Sequence, residues 1–383
     1  MEEQNKPSEE NQDANNQPSA NENPTSQPEN TPVEEPTPGS SPFGTPPAQD
    51  ISSLAGHSTI SVPKADHVDA SLVLETVTAI KAEIGKMVIG QQEMIEQLLA
   101  GILVGGHVLL EGYPGIAKTL TARMLAQTVS ADFSRIQFTP DLMPTDITGT
   151  SVFNLKESEF SFRKGPIFSN IILIDEINRA PAKTQASLME VMEEKQITYD
   201  GTSYKLDFPF FVIATQNPIE QEGTYSLPEA QLDRFVFRIR VPYPTLEEEQ
   251  KILTLFESDF GKRQESDVQA IVTKAKLKDV RNIIEKVYIK KELIDYIAAI
   301  VNNTRNNGDL FLGASPRASL SILRTAKAVA AMRGRGFVTP DDIRYVCYPV
   351  LNHRVILSHE REMEGTTVED VIKDILENID VPR

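Results

Sequence analysis

The stretch Gly112-Tyr113-Pro114-Gly115-Ile116-Ala117-Lys118-Thr119 follows the phosphate-cradling pattern G-x-x-x-x-G-K-[ST] except at Ala117, where the pattern has its second glycine. Such a loop works only between a buried strand and a helix N-terminus, where backbone N–H groups and the helix dipole converge on phosphate oxygens. Both flanks meet that requirement. Val108-Leu109-Leu110 is an apolar run of buried-strand character, and Leu120, Met124 and Leu125 recur downstream at helical spacing. Alanine is the smallest residue after glycine and can pass close to a phosphate if its φ is negative, so the substitution weakens the pattern without removing the chemistry. In this frame Lys118 reaches the β- and γ-phosphates of a nucleotide and Thr119 ligates Mg²⁺. Taken alone, the same residues also read as a Gly/Pro turn followed by a surface lysine.

The chain has 383 residues, room for two or three domains, and 40% of them are apolar, enough for an ordinary core. One cysteine, Cys347, excludes an internal disulfide framework and any cysteine cluster for zinc or iron–sulfur. The start, Met1-Glu2-Glu3-Gln4-Asn5-Lys6, lacks the basic and apolar regions of a secretory signal, and the longest apolar stretch, Leu98 to Leu110, is too short to span a bilayer. These features predict a cytoplasmic protein. Of the net charge of −17, residues 1–50 carry −9, which leaves −8 for the remainder. A globally acidic surface repels phosphate backbones and disfavours nucleic acid as the main partner.

Residues 1–60 are rich in Pro, Asn, Gln, Glu and Ser and have too little apolar surface to offset chain entropy, which predicts a disordered acidic tail. From residue 68 the pattern changes. Leu72, Val73, Val77, Ile80 and Ile84 fall at helical spacing, as do Met94, Leu98, Leu99 and Ile102 after Gly90. Strand-like runs then recur at Val108–Leu110, Arg135–Thr139, Asn170–Ile174, Phe210–Ala214 and Val236–Val241, separated by helical segments. That alternation predicts a parallel sheet covered on both faces over residues 68–242. Beyond Pro244 the strands stop, and Glu247–Phe256, Lys291–Asn302, Ser315–Met332 and Pro340–Val350 predict a smaller all-helical domain over 243–383. Two β-hairpins are expected within the α/β part, one at 149–168 and one at 196–206, the second around the tight-turn pair Asp200-Gly201.

A nucleotide loop calls for a second strand that ends in acid at the metal. Ile171-Ile172-Leu173-Ile174-Asp175-Glu176 is such a strand, with Asp175 placed to hold Mg²⁺ and Glu176 to polarise a water for attack on the γ-phosphate. A third, Phe210 to Ala214, runs into Thr215-Gln216-Asn217-Pro218, where Asn217 faces the crevice at the strand ends and is placed to orient that water. An Asn-Pro turn is the alternative reading of that segment.

Taken in order, G-x-P-G-x-A-K-T at 112–119, Ile171 to Glu176, Ala214 to Pro218 and Leu227-Pro228-Glu229-Ala230-Gln231-Leu232-Asp233-Arg234-Phe235 resemble the MoxR family of AAA+ ATPases. The resemblance covers residues 70 to 380, and alanine before the lysine is the usual form in that family. It implies a P-loop NTPase αβα core, a helical lid, and ATP with Mg²⁺ between them. It implies adenine contact by Val88-Ile89-Gly90-Gln91 and a phosphate cradle of Gly112, Pro114, Gly115, Ile116, Ala117, Lys118, Thr119 and Leu120. Asp175 and Glu176 take the metal and water-activating roles and Asn217 the sensor-1 role. Arg234 matches the arginine finger that completes a neighbouring subunit's site, which elsewhere contributes about 10³ to 10⁵ in rate. A surface salt bridge to Asp233 or Glu229 is the plain alternative for Arg234, and Arg238 is its competitor for the finger role. Arg317 follows Ser315-Pro316, a good N-cap and N1 pair, and matches a sensor-2 arginine on its own or a neighbouring nucleotide. The two hairpins match inserts that face the pore or client side of a ring.

The function implied is a homo-oligomeric, hexameric ATPase, hydrolysing ATP to ADP and phosphate, that remodels client proteins or matures protein complexes in a chaperone-like role. A partner carrying a von Willebrand factor A-type domain is expected with it. A nucleic-acid translocase shares the hairpin inserts, but Lys156-Glu157-Ser158-Glu159 and Asp200-Gly201-Thr202-Ser203 are not basic clusters. A slow nucleotide-dependent switch is the third reading, against which Glu176 and Arg234 speak for hydrolysis.

Overall fold

In the computed structural model the described residues are 68–156, 158–218, 223–259 and 267–382, so the tail expected over 1–60 lies outside them. The chain begins with α1 (Ser71–Ile84), α2 (Gln92–Val104), β1 (His107–Gly112), α3 (Lys118–Thr128), β2 (Phe133–Gln137), α4 (Pro144–Thr148), β3 (Gly149–Asn154), β4 (Glu159–Lys164) and β5 (Ile171–Asp175). It continues through α5 (Ala182–Glu194), β6 (Gln196–Tyr199), β7 (Thr202–Lys205), β8 (Phe211–Gln216), α6 (Glu229–Leu232) and β9 (Phe235–Val241). After β9 come α7 (Leu246–Asp259), α8 (Lys274–Lys286), α9 (Lys291–Arg305), β10 (Leu310–Leu312), α10 (Pro316–Met332), α11 (Pro340–Leu351), β11 (Ile356–Leu357), α12 (His359–Met363) and α13 (Val368–Asn378).

Five strands form one sheet in the order β2-β5-β8-β1-β9, and every neighbouring pair is parallel. Alternation along each strand sends side chains to opposite faces. Val108 and Leu110, Ile171 and Leu173, Phe211 and Ile213 join one buried cluster with α1, α2 and α3. Leu109, Ile172, Ile174, Val212 and Ala214 join a second, packed on Leu188, Met189, Val191 and Met192 of α5. The sheet is thus covered on both faces, and this is why its strands read as continuous apolar runs. In-register pairing sets the ends of β1, β5 and β8 side by side: Leu110 opposite Thr215, Ile174 opposite Ala214, and Gln137 of β2 opposite Asp175.

Both hairpins form, β3 with β4 and β6 with β7. They stack on each other through Phe162, whose ring lies 4.8 Å from both Tyr199 and Tyr204. A side chain at Gly149 or Gly165 would collide with backbone across the hairpin base, so the close approach there requires glycine.

The expectation that strands stop after Pro244 is corrected by the short antiparallel pair β10–β11, whose three and two residues carry no readable alternation. Helices α8, α12 and α13 add to the four helices expected there. α8 buries only Leu277, Val280 and Ile284 among lysines, whereas α13 starts with a capping box of Thr367 and Asp370, a signal the residues do carry. The C-terminal helices share a core with the sheet region: Ile300, Ile322, Val329 and Val346 belong to the same buried cluster as Val108 and Leu110.

Candidate functional site

The phosphate-loop segment joins β1 to the N-terminus of α3, with Gly115 at φ 84° and Ala117 at φ 62°. The condition of a negative φ at Ala117 is therefore not met. Ala117 is the left-handed N-cap of α3, and its carbonyl accepts the first bonds of that helix, from the Thr121 amide and hydroxyl. Left-handed backbone costs an L-residue about 1–2 kcal/mol, and it turns successive N–H groups toward one concavity, the geometry of an anion nest.

Lys118, Thr119, Asp175, Glu176 and Asn217 line one cavity of about 400 Å³, together with Pro114, Gly115, Ala117 and Leu120. The ammonium of Lys118 donates to the carbonyl of Gly112 at the start of the loop. Burial lowers its pKa below the usual lysine value, while Asp175, Glu176 and Glu111 act to raise it. Ile116 is buried beneath the loop, and Gly112 is buried, with no room for a side chain between Ile116 and Val241. Val88 belongs to the core and Ile89 is half-buried; neither lines this cavity. Their segment is tied to the end of β9 by Gln91, whose amide donates to the Pro242 carbonyl at 3.1 Å. Beside it Tyr243 stacks on Tyr113 of the loop at 4.5 Å.

Residues that sequence reasoning missed complete the acidic end. Arg135 donates to Asp175 at 2.6 Å, and the Thr215 hydroxyl donates to its other oxygen at 3.2 Å. Gln137 donates to Glu176 at 2.7 Å, and Arg179 pairs with the same carboxylate oxygen at 3.1 Å. The Glu176 amide donates to the Thr215 hydroxyl, and Glu176 sits at φ 58°, a strained position for a non-glycine residue. The only signal for Arg135 and Gln137 was alternation on β2, which became meaningful once β2 was known to flank β5.

Fit to Mg²⁺ follows from the donor set. Thr119 and Asp175 offer two hard oxygen donors at the same cavity. That suits an ion which keeps its waters and takes substrate phosphates as ligands.

Arg234 and Arg317 do not line the cavity at Lys118. They lie together in a second cavity of about 190 Å³, bordered by Gly106, Glu193, Asp233, Arg324 and Arg354. In place of Asp233 or Glu229, the partners of the plain alternative reading, Arg234 pairs with Glu193 at 2.8 Å and donates to the Met189 carbonyl. Arg317, in the first turn of α10, donates to the other oxygen of Glu193 at 2.7 Å. Ser315 precedes that helix but does not cap it: its hydroxyl donates to Asp233 at 2.9 Å. Arg354, almost fully buried, donates to the remaining oxygen of Asp233 at 2.7 Å and to the Phe235 carbonyl. Burial lowers its pKa, opposed by Asp233. Arg238 is held in a two-bond clasp by Glu111 at 2.7 and 2.9 Å.

A phosphate loop after an inner strand of a parallel sheet, an acid-ended strand two places away and a trailing set of helices define an AAA-type ATPase. Residues 107–237 match the model of the ATPase family associated with various cellular activities, and 302–375 match the AAA lid domain. The chain is 43% identical to uncharacterized protein YeaC of Bacillus subtilis over 78% of its own length and 92% of that protein. It is 42% identical to chaperone MoxR1 of Mycobacterium tuberculosis, over 79% of its length and 81% of that protein. The crystal structure of a proposed ATPase from Cytophaga hutchinsonii superposes with a TM-score of 0.76 at 45% identity, covering 82% of this chain and 97% of the other. The chain belongs to the MoxR family of AAA+ ATPases. No helix among its described residues is long and apolar enough to cross a membrane.

Proposed function

We propose that the protein is a Mg²⁺-dependent ATPase whose subunits assemble into a ring, a hexamer, and whose hydrolysis drives chaperone-like remodelling or maturation of client proteins. The observation that carries this reading is the convergence of Lys118, Thr119, Asp175, Glu176 and Asn217 on one cavity at the ends of β1, β5 and β8. Residues 68–242 act as the ATPase core and 243–383 as the lid.

In this mechanism the loop amides and Lys118 hold the β- and γ-phosphates of ATP, and Thr119 and Asp175 hold Mg²⁺. Mg²⁺ bound there supplies neutralisation of phosphate charge. Glu176 polarises the attacking water and accepts its proton, and Asn217 orients that water. Val88, Ile89 and the Tyr113–Tyr243 pair border the base.

Arg234 and Arg317 serve a neighbouring subunit's nucleotide. Support comes from their shared cavity, which has no lining residue in common with the one at Lys118. Exposed Val152, Phe153, Leu155 and Phe160 on the first hairpin favour a polypeptide client over nucleic acid. A von Willebrand factor A-type partner and a cytoplasmic site of action belong to the same proposal, from the family resemblance.

The test separates binding from turnover. Lys118→Ala is expected to lose ATP binding, measured by titration calorimetry, because it removes the phosphate-facing charge. Glu176→Gln is expected to bind ATP as the parent does and to release no phosphate. Parental ATP affinity in Lys118→Ala refutes the assigned cradle.

A further inference from the structure

Among the four arginines that border this cavity, Arg234 and Arg317 stand side by side and repel each other, so something has to hold them together. Glu193, in the last turn of α5, does so with both oxygens: one lies 2.8 Å from Arg234 and the other 2.7 Å from Arg317. Asp233 is the other carboxylate nearby, but its oxygens are taken by Arg354 at 2.7 Å and Ser315 at 2.9 Å, and it stands 3.9 Å from Arg317. All three side chains of the Glu193 cluster are part-exposed, Arg234 at 30%, Glu193 at 40% and Arg317 at 46%. Ion pairs in contact with water are individually weak and exchange readily. A γ-phosphate carries more charge and more acceptor oxygens than one carboxylate, so it competes effectively for both arginines.

We infer that Glu193 is a positioning residue: it holds Arg234 and Arg317 as a pair on the surface that meets a neighbouring subunit and yields them to that neighbour's γ-phosphate. This rests on the reading of the two arginines as acting across the subunit boundary. Without the carboxylate the cations splay apart and the site they complete is met by a disordered pair. Misplacement of a catalytic group by an ångström costs on the order of tenfold to a hundredfold in rate.

The experiment mixes two full-length variants that are each inactive alone. One, Arg234→Ala, donates an intact Glu176; the other, Glu176→Gln, donates an intact Arg234. Steady-state phosphate release from the mixture reports the single competent type of interface. Glu193→Gln, which keeps the shape and removes the charge, is then added to one partner at a time. On the Glu176→Gln partner it is expected to lower the recovered rate about tenfold with KM for ATP unchanged. On the Arg234→Ala partner it is expected to change nothing, since that subunit supplies no finger. An equal effect from either side, or none from both, overturns the role of Glu193 alone. A parent mixture that recovers no hydrolysis, while light scattering shows assembled protein, overturns the reading across the boundary and this inference with it.

Discussion

Ala117 carries the largest local anomaly of the nucleotide loop: a side chain at φ 62°, where the common pattern has glycine. Left-handed backbone costs alanine about 1–2 kcal/mol, while glycine gives up about 0.4–1 kcal/mol through the freer unfolded chain. The terms oppose and the strain is the larger. Ala117→Gly is therefore expected to leave ATP binding intact and to raise unfolding stability by up to about 1 kcal/mol in urea titration. A loss of 1 kcal/mol or more shows that the methyl group packs usefully. The neighbouring Lys118 and the acid pair Asp175-Glu176 were legible from residue type and spacing. Arg135, Gln137 and Thr215, which touch those acids, were not, because each is ordinary until its strand's neighbour is known.

Among elements, the joint between β9 and the turn after α11 ties the helices to the sheet. Asn352 donates to the Arg238 carbonyl at 3.0 Å, His353 bonds the Phe235 carbonyl at 3.1 Å, and Arg354 binds Asp233 and carbonyls of β9. A buried cation is stable only with its partners in place, and breaking such a pair from one side typically costs about 3–5 kcal/mol. Arg354→Met fills the space without the bonds. It is expected to destabilise the protein by about 3 kcal/mol and to lower phosphate release, because Asp233 adjoins Arg234. Parental stability by chemical denaturation would show the joint to be dispensable. Nothing in the run Asn352-His353-Arg354 announced this role: the same letters describe an exposed polar turn, and only burial against β9 makes them a strut.

At the scale of the whole molecule, two buried histidines set an acid limit. His107 accepts from the Val212 amide at its Nδ1 and donates from Nε2 to the Met192 carbonyl, so it is held neutral between the sheet and α5. Burial drives its pKa from 6.5 down to about 4, and burial with the charge of Arg354 pushes His353 well below the usual value. Between those limits the unfolded chain binds protons that the folded one refuses, so stability is complete above the unfolded pKa and falls as pH drops below it. His107 alone is expected to cost about 2 kcal/mol on going from pH 7 to pH 5. Urea midpoints across that range check it, and a flat profile contradicts the neutral, buried assignment.

The order of apolar runs and helical periods, with glycine, lysine, threonine and paired acids at the strand ends, was enough to specify a parallel α/β core and one nucleotide site within it. Those signals are local: each needs only a strand, the turn after it and the helix beyond. The tertiary structure alone decided which strands lie side by side, and so which polar residues hold Asp175 and Glu176. It also decided that Arg234 and Arg317, separated in the chain by β9, three helices and β10, share a carboxylate from α5 instead of the nearer Asp233 or Glu229. Long-range pairing depends on how whole elements pack, and residue spacing along the chain carries no record of it.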